Sequence, residues 1–440
     1  MKKLLALLLA VTMAFSLAAC GENDTGGGGL PPPQSSVDSS TLSTDFQQYM
    51  KTTDCTKICG GCETETGWYF QYDAFLYYID KKTMKTTIVC GKPDCKHTNS
   101  ACNAWVNTNS LNFYGGKLYF DNADLDITRS GLLTLFSMDI DGSNHKEVQE
   151  LQQQKQNDWK PCAAVIHRGS IYFNYAGAIY TAPLGTDMSK ASKLYGEVKN
   201  AVAGVDTDDG LNWKICADND KVYFMGNIVQ SDKTQKDTLF CYDTNTKEFK
   251  QVWQVPDGSE VGKWETTGVS LIQTGKPSCG WYIKDGVLYF YLSGNDLWRN
   301  DLNGGKNERV ATVSEKVPES GFAIFNNDNI FIINDYPQYM DTLTDEEMTE
   351  ANTIFVYDYE GSMLKKLPIE NLSKEFNSVS NIQMLWAREG KLFLYVYGDT
   401  KVSQIGANSQ TASSKERMAY IDIESGVLSF IEGWTGSDGR

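Results

Sequence analysis

Residues 135–144 read Leu135-Phe136-Ser137-Met138-Asp139-Ile140-Asp141-Gly142-Ser143-Asn144: apolar residues, two variable positions, then an aspartate at the mouth of a turn. The phrase returns as Leu76-Tyr77-Tyr78-Ile79-Asp80, Leu239-Phe240-Cys241-Tyr242-Asp243 and Leu297-Trp298-Arg299-Asn300-Asp301. It recurs again as Ile354-Phe355-Val356-Tyr357-Asp358 and, degraded, as Met418-Ala419-Tyr420-Ile421-Asp422. In Ile179-Tyr180-Thr181-Ala182-Pro183 the aspartate is lost. Seven copies of a short-strand phrase predict a closed array of units, none of which buries its apolar face alone.

A second phrase precedes each of these: a polar turn, then an alternating aromatic strand. Examples are Gly115-Gly116-Lys117-Leu118-Tyr119-Phe120, Arg168-Gly169-Ser170-Ile171-Tyr172-Phe173 and Asp285-Gly286-Val287-Leu288-Tyr289-Phe290. From Tyr69 to Phe393 the phrase takes six steps of roughly 54 residues, room for four strands and their loops. In the third unit, strand A is expected over 162–167, B over 171–175, C over 178–183 and D over 192–195. The expectation is an all-β, seven-bladed β-propeller of four-stranded antiparallel blades. Tight A–B and C–D turns then share one end of the ring. The long B–C insertions and D–A crossovers share the other, where recognition residues ride on a rigid scaffold.

Residues 1–19 read as a lipoprotein signal peptide: Lys2 and Lys3, an apolar stretch from Leu4 to Phe15, then Leu17-Ala18-Ala19 before Cys20. The apolar stretch is too short to span a bilayer. Residues 20–45 follow as the lipidated cysteine and a flexible Gly/Pro/Ser tether, with Gly26 to Gly29 and Pro31 to Pro33. Residues 46–440 form the single propeller domain, opening with a Cys-rich segment over 55–102. Stable anchoring needs more than one acyl chain, which a lipidated N-terminal cysteine supplies. The expected place is extracytoplasmic, on the outer leaflet of the cytoplasmic membrane, with the membrane met through the lipid anchor only. A net charge of −16 argues against nucleic acid as a partner.

Leu17-Ala18-Ala19-Cys20-Gly21 resembles the lipobox of bacterial lipoproteins. The LFxxD-type phrases, with Asp139-Ile140-Asp141-Gly142-Ser143-Asn144 the best, and the Cys90-Gly91-Lys92-Pro93-Asp94-Cys95-Lys96-His97 block resemble YWTD-like (low-density-lipoprotein-receptor-type) propellers. Closer still are the propeller lipoproteins of Gram-positive anaerobes. The likeness covers about residues 55 to 432. It implies a propeller fold; no literal Tyr-Trp-Thr-Asp occurs, so it carries over no receptor ligand.

Six cysteines crowd the start: Cys55, Cys59, Cys62, Cys90, Cys95 and Cys102. The spacing Cys90-x4-Cys95-x-His97-x4-Cys102 offers three thiolates and an imidazole, enough ligands for tetrahedral zinc. Outside the membrane an even set of cysteines forms disulfides more often, and free thiols in an anaerobic niche are the third reading. Cys162, Cys216 and Cys279 open strands A and read as small buried thiols. Of the other histidines, His145 falls in a C–D turn and His167 at the end of a strand A.

No nucleophile motif, phosphate loop or dinucleotide fingerprint occurs, so no catalytic residue is assigned. The aromatics lead instead: Trp105, Trp159, Trp213 and Trp264 recur in successive D–A crossovers, and Tyr336 and Tyr339 flank Pro337 in the largest B–C insertion. Such rings stack on sugars or anchor a protein partner, but recurrence in phase with the repeat also suits wedges between blades. Thr344-Asp345-Glu346-Glu347 reads as the opening of a short helix in the same insertion. The Asp139–Gly142 cluster lacks an EF-hand glutamate and reads as a turn. The expectation is a surface-anchored propeller that binds a cell-envelope protein or glycan. The alternative is an exported carbohydrate-active enzyme using acidic residues at the same end.

Overall fold

The computed structural model describes residues 58–434 apart from 107, 109, 122–132, 152–163, 176, 197–212, 230–234, 256–279, 293–295, 314–320, 335–343, 345–351, 371, 373–374, 400–402, 405–409 and 412–413. Seven four-stranded antiparallel sheets follow one another; six are built from consecutive strands, and the last admits a two-stranded hairpin, Ser403–Gln404 with Gln410–Thr411, between its second and third strands. They occupy 58–88, 111–150, 164–195, 214–254, 281–312, 321–368 and 378–430, and are numbered blades 1 to 7. In blade 3 the strands run Ala164–His167, Ser170–Tyr175, Ala178–Pro183 and Ser192–Tyr195. The fold is the expected seven-bladed propeller. Among the described residues helical backbone is confined to a 3-10 turn, Met188–Lys190, and to Leu372. The helix expected from Asp345 lies outside the described residues.

The turn chemistry explains why strands end where they do. Four A–B turns put both central residues at positive φ: Gly115 and Gly116 at 55° and 77°, Arg168 and Gly169 at 47° and 75°, Asp285 and Gly286 at 52° and 77°, Glu389 and Gly390 at 47° and 71°. Two left-handed residues make the turn whose twist matches a right-twisted hairpin. The C–D aspartates cap their own turns. The Asp80 carboxylate accepts the N–H groups of Lys82 and Thr83 at 3.1 and 2.7 Å, and Asp243 those of Asn245 and Thr246, both at 2.8 Å. Blade 3, with Pro183 in place of the aspartate, borrows a partner: its Gly185 N–H donates to Gln149 Oε1 of blade 2 at 2.9 Å.

The core is a set of seams between blades. Asn112 stitches the innermost strands of blades 2 and 3, donating to the Ala164 carbonyl at 3.1 Å and accepting the Ile166 N–H at 3.2 Å. Two C–D turns also lean closely on the preceding blade. A Cβ at Gly142 of blade 2 would stand 2.4 Å from the Val89 carbonyl oxygen beyond blade 1, and one at Gly361 of blade 6 would stand 2.5 Å from that of Val310 in blade 5.

The ring closes without exchanging a strand. Trp68 of blade 1 meets Phe393 of blade 7 edge-on at 4.9 Å. Arg388 Nε lies 3.3 Å from Glu63 Oε2, and Lys81 bridges Glu63 and Glu389, each at 2.7 Å. The C-terminal segment then crosses back: Thr86 N–H donates to the Glu432 carbonyl at 2.8 Å, and the buried Trp434 ring stands on Tyr72 at 4.9 Å and 85°.

Candidate metal centre

The first D–A crossover leaves blade 1 after Thr86–Ile88 and reaches blade 2 at Leu111–Tyr114. It is pinned at both ends to the start of strand Phe75–Asp80. Val89 N–H donates to the Leu76 carbonyl at 2.9 Å on the way out; Leu76 N–H donates to Ala104 at 2.8 Å and Val106 N–H to Ala74 at 2.9 Å on the way back. Between these pins the backbone turns sharply, with Asp94 and His97 left-handed at φ 62° and 50°. Aspartate tolerates that region better than most residues, and His97 is held there by the loop.

This folding brings Cys90, Cys95, His97 and Cys102 together, their ligand atoms all within 4.8 Å of one another. Cys102 is buried and the other three are half-buried. His97 Nδ1 lies 3.2 Å from Cys102 Sγ, which also accepts the Ala104 N–H at 3.3 Å. Lys92 Nζ donates to the Ala101 carbonyl at 2.5 Å and ties the loop across its base.

The three thiols influence one another's ionisation. Burial works to raise the Cys90 pKa, but the N–H groups of Lys92 and Asn103 and the neighbouring Cys102 and Cys95 thiols outweigh it, leaving the pKa below the ordinary thiol value. Cys102 is pushed up to about 12, first by burial and then by the sulfurs of Cys90 and Cys95, against the Ala104 N–H. Crowded thiols cannot all ionise together without a positive charge among them. Burial lowers the His97 pKa and keeps its imidazole neutral, the form a metal needs.

The donor set fits a tetrahedral ion. Bonds of about 2.3 Å to sulfur set ligand atoms roughly 3.8 Å apart, so the four side chains need close only by about 1 Å. The cluster could hold a metal.

The disulfide expectation is not met among the described residues. Cys62, Cys90, Cys95 and Cys102 all keep free thiols. Cys62 is sealed in the innermost strand of blade 1, where burial raises its pKa well above that of an exposed thiol, while the other three face one another in the crossover. Cys55 lies outside the described residues. Cys216 and Cys241 are buried, as small core thiols.

The aromatic candidates separate. Trp213 is 2% exposed, wedged between blades 3 and 4. Its Nε1–H donates to the Gly177 carbonyl at 3.2 Å and its ring packs edge-on against Tyr195 at 5.8 Å. Gly226 exists to admit it, since a Cβ there would come within 2.3 Å of the indole. That ring is structural and is not presented to a ligand. Trp105 is half-buried, its backbone N–H donating to the Cys102 carbonyl at 3.1 Å and its ring edge-on to Phe75 at 5.0 Å. Trp159, Trp264, Tyr336, Tyr339 and Cys20 lie outside the described residues.

Sequence reading missed the surroundings of the cluster. The Ala104 N–H supports Cys102 Sγ at 3.3 Å, and the C–D turn of blade 2 brings Gly142 against Val89, the residue before Cys90. A backbone donor has no side-chain signal, and Gly142 stands in another blade.

No protein-family profile matches the chain, and no curated protein is similar to it. Solved propellers are similar in shape at low identity. Sqt1 of Saccharomyces cerevisiae is 12% identical with a TM-score of 0.42, over 89% of this chain and 99% of that one. The computationally designed Ika8 protein is 9% identical with a TM-score of 0.36, over 89% and 98%. BamB from Moraxella catarrhalis is 12% identical with a TM-score of 0.32, over 73% and 82%. These likenesses carry no argument about function.

Proposed function

We propose that this chain is an extracytoplasmic lipoprotein, anchored through Cys20 to the outer leaflet of the cytoplasmic membrane, whose propeller binds a cell-envelope protein or glycan. The observation that carries the binding reading is the asymmetry of the ring. Four A–B turns are closed by two left-handed residues. The longest connections, 89–110, 196–213 and 255–280 between blades and 335–352 and 400–413 within them, leave the opposite strand ends. Rigid blades with elaborated loops at one end are how propellers present a recognition surface.

The ion we assign to the Cys90, Cys95, His97 and Cys102 cluster is zinc. Three thiolates and one imidazole are a soft, closed donor set, leaving no open position for substrate. The metal's role is therefore structural, holding the crossover beside Trp105.

The test compares capture from a cell-envelope fraction by the wild type, by Tyr336→Ala and Tyr339→Ala, and by Lys82→Ala and Lys306→Ala in C–D turns. Binding is expected to weaken by more than about 1 kcal/mol per anchoring ring and to be unchanged in the two lysine variants. The opposite pattern would put recognition at the tight-turn end. Cys20→Ser is expected to release the protein from membranes or leave it uncleaved; unchanged retention would refute lipidation.

A further inference from the structure

We propose that Cys90 and Cys95 are a modification site of the zinc centre: a peroxide oxidises the two thiolates to a disulfide, and the metal leaves. The inference rests on the zinc assignment above. A zinc-bound cysteine is held as thiolate, the form that attacks an oxidant. Which thiolates react is then a matter of access. Cys90 and Cys95 are half-buried, whereas Cys102 is 4% exposed. Cys102 Sγ is also shielded by its partners, His97 Nδ1 at 3.2 Å and the Ala104 N–H at 3.3 Å. The two accessible sulfurs already stand near one another, since the ligand atoms of the cluster all lie within 4.8 Å. The chain folds back between them: Cys95 N–H donates to the Lys92 carbonyl at 3.4 Å, with Asp94 left-handed. Lys92, Pro93 and Asp94 are exposed, so this turn can tighten until the sulfurs reach a bonding distance of about 2.05 Å.

The step balances with hydrogen peroxide as the oxidant. One thiolate sulfur attacks a peroxide oxygen, the O–O bond breaks, and a sulfenic acid and hydroxide form. The second thiolate attacks the sulfenic sulfur, the S–S bond forms, and a second hydroxide leaves. Two thiolates give up two electrons, and one peroxide is reduced to two hydroxides. His97 and Cys102 remain, two donors where a closed zinc site needs four. The ion is therefore released. The return leg of the crossover keeps its own pins, the Leu76 N–H on the Ala104 carbonyl at 2.8 Å and the Val106 N–H on the Ala74 carbonyl at 2.9 Å. Oxidation thus frees the outgoing turn and leaves the ring closed.

The experiment treats the full mature chain, loaded with zinc, with hydrogen peroxide. Zinc release is followed with a weak chromogenic chelator, and tryptic peptides are weighed after alkylation of the remaining thiols. The pairing is directly readable. Residues 86–96 carry Cys90 and Cys95 in one tryptic peptide, because Pro93 blocks cleavage after Lys92, while residues 97–117 carry Cys102. Zinc is expected to leave mole for mole with the peroxide consumed, the 86–96 peptide to lose two hydrogens, and Cys102 to remain alkylatable. A thiol reductant with added zinc should restore the metal. Cys102→Ser should still close the disulfide within 86–96, since both accessible thiols remain. A wild type that binds no zinc overturns the zinc assignment itself. A zinc-loaded wild type that keeps its metal in excess peroxide overturns the modification site alone. So does one that loses its metal with Cys90 joined to Cys102, or with Cys90 carried on to sulfinic acid.

Discussion

His97 Nδ1 and Cys102 Sγ stand 3.2 Å apart, a contact made by a left-handed histidine and a buried cysteine five residues on. The pair sets two of the cluster's four ligand atoms side by side. It also identifies Nδ1, rather than Nε2, as the imidazole nitrogen facing the ligand cluster. Because the crossover is pinned to Leu76 and Ala74 of blade 1, disturbing the cluster has a local and readable consequence.

On the zinc assignment, treating the protein with a chelator, or replacing Cys90 with Ser, is expected to expose the crossover without unfolding the ring. Hydrogen exchange should quicken at Leu76 and Val106, whose N–H groups bond the crossover and its pinning strand, while Ile79 in the blade 1 core stays protected. Metal retention should fall as the pH drops from about 8 to about 5, because protons compete for thiolates and imidazole. Uniform loss of protection across all blades would show that the metal holds the whole fold.

Gly142→Ala should destabilise by about 1–3 kcal/mol, combining a left-handed backbone with a collision. The new Cβ would meet the Val89 carbonyl oxygen at 2.4 Å. Gly115→Ala is the comparison: φ is 55° there, but no atom lies within 4 Å of the new Cβ. It should cost the backbone part alone, about 1 kcal/mol. Chemical denaturation of the two variants measures the difference, which disappears if the turn can move off the preceding blade.

Asp218 gives a pH signature. Its pKa is raised to about 6, first by burial and then by the nearby Asp285 carboxylate. A carboxylate whose folded pKa exceeds its unfolded value favours the protonated native state. Its influence therefore supports the fold below the ordinary carboxylate value and turns against it as the pH rises toward about 6. Asp218→Asn should flatten that part of the stability profile and raise stability near neutral pH by about 1–2 kcal/mol, partial exposure discounting the full shift. Denaturant midpoints across this range decide it; an unchanged slope would mean the carboxylate titrates normally.

The sequence by itself determined the propeller. Strand phrases such as Leu239–Asp243 and turns such as Asp285-Gly286 are local signals, because alternation and left-handed φ are properties of a few consecutive residues. The same holds for the ligand set: Cys90, Cys95, His97 and Cys102 were legible because one loop carries them all. Tertiary structure decided the rest. It placed Trp213 in a seam against Gly226 rather than on a surface, since in-phase recurrence is the same whether a ring faces solvent or the next blade. It left Cys62 sealed in blade 1, apart from the crossover thiols, which spacing alone cannot exclude. It also set Gly142 of blade 2 against Val89, the residue before Cys90, because that turn leans on the blade before it, and the contact is written in the packing of two repeats rather than in either one.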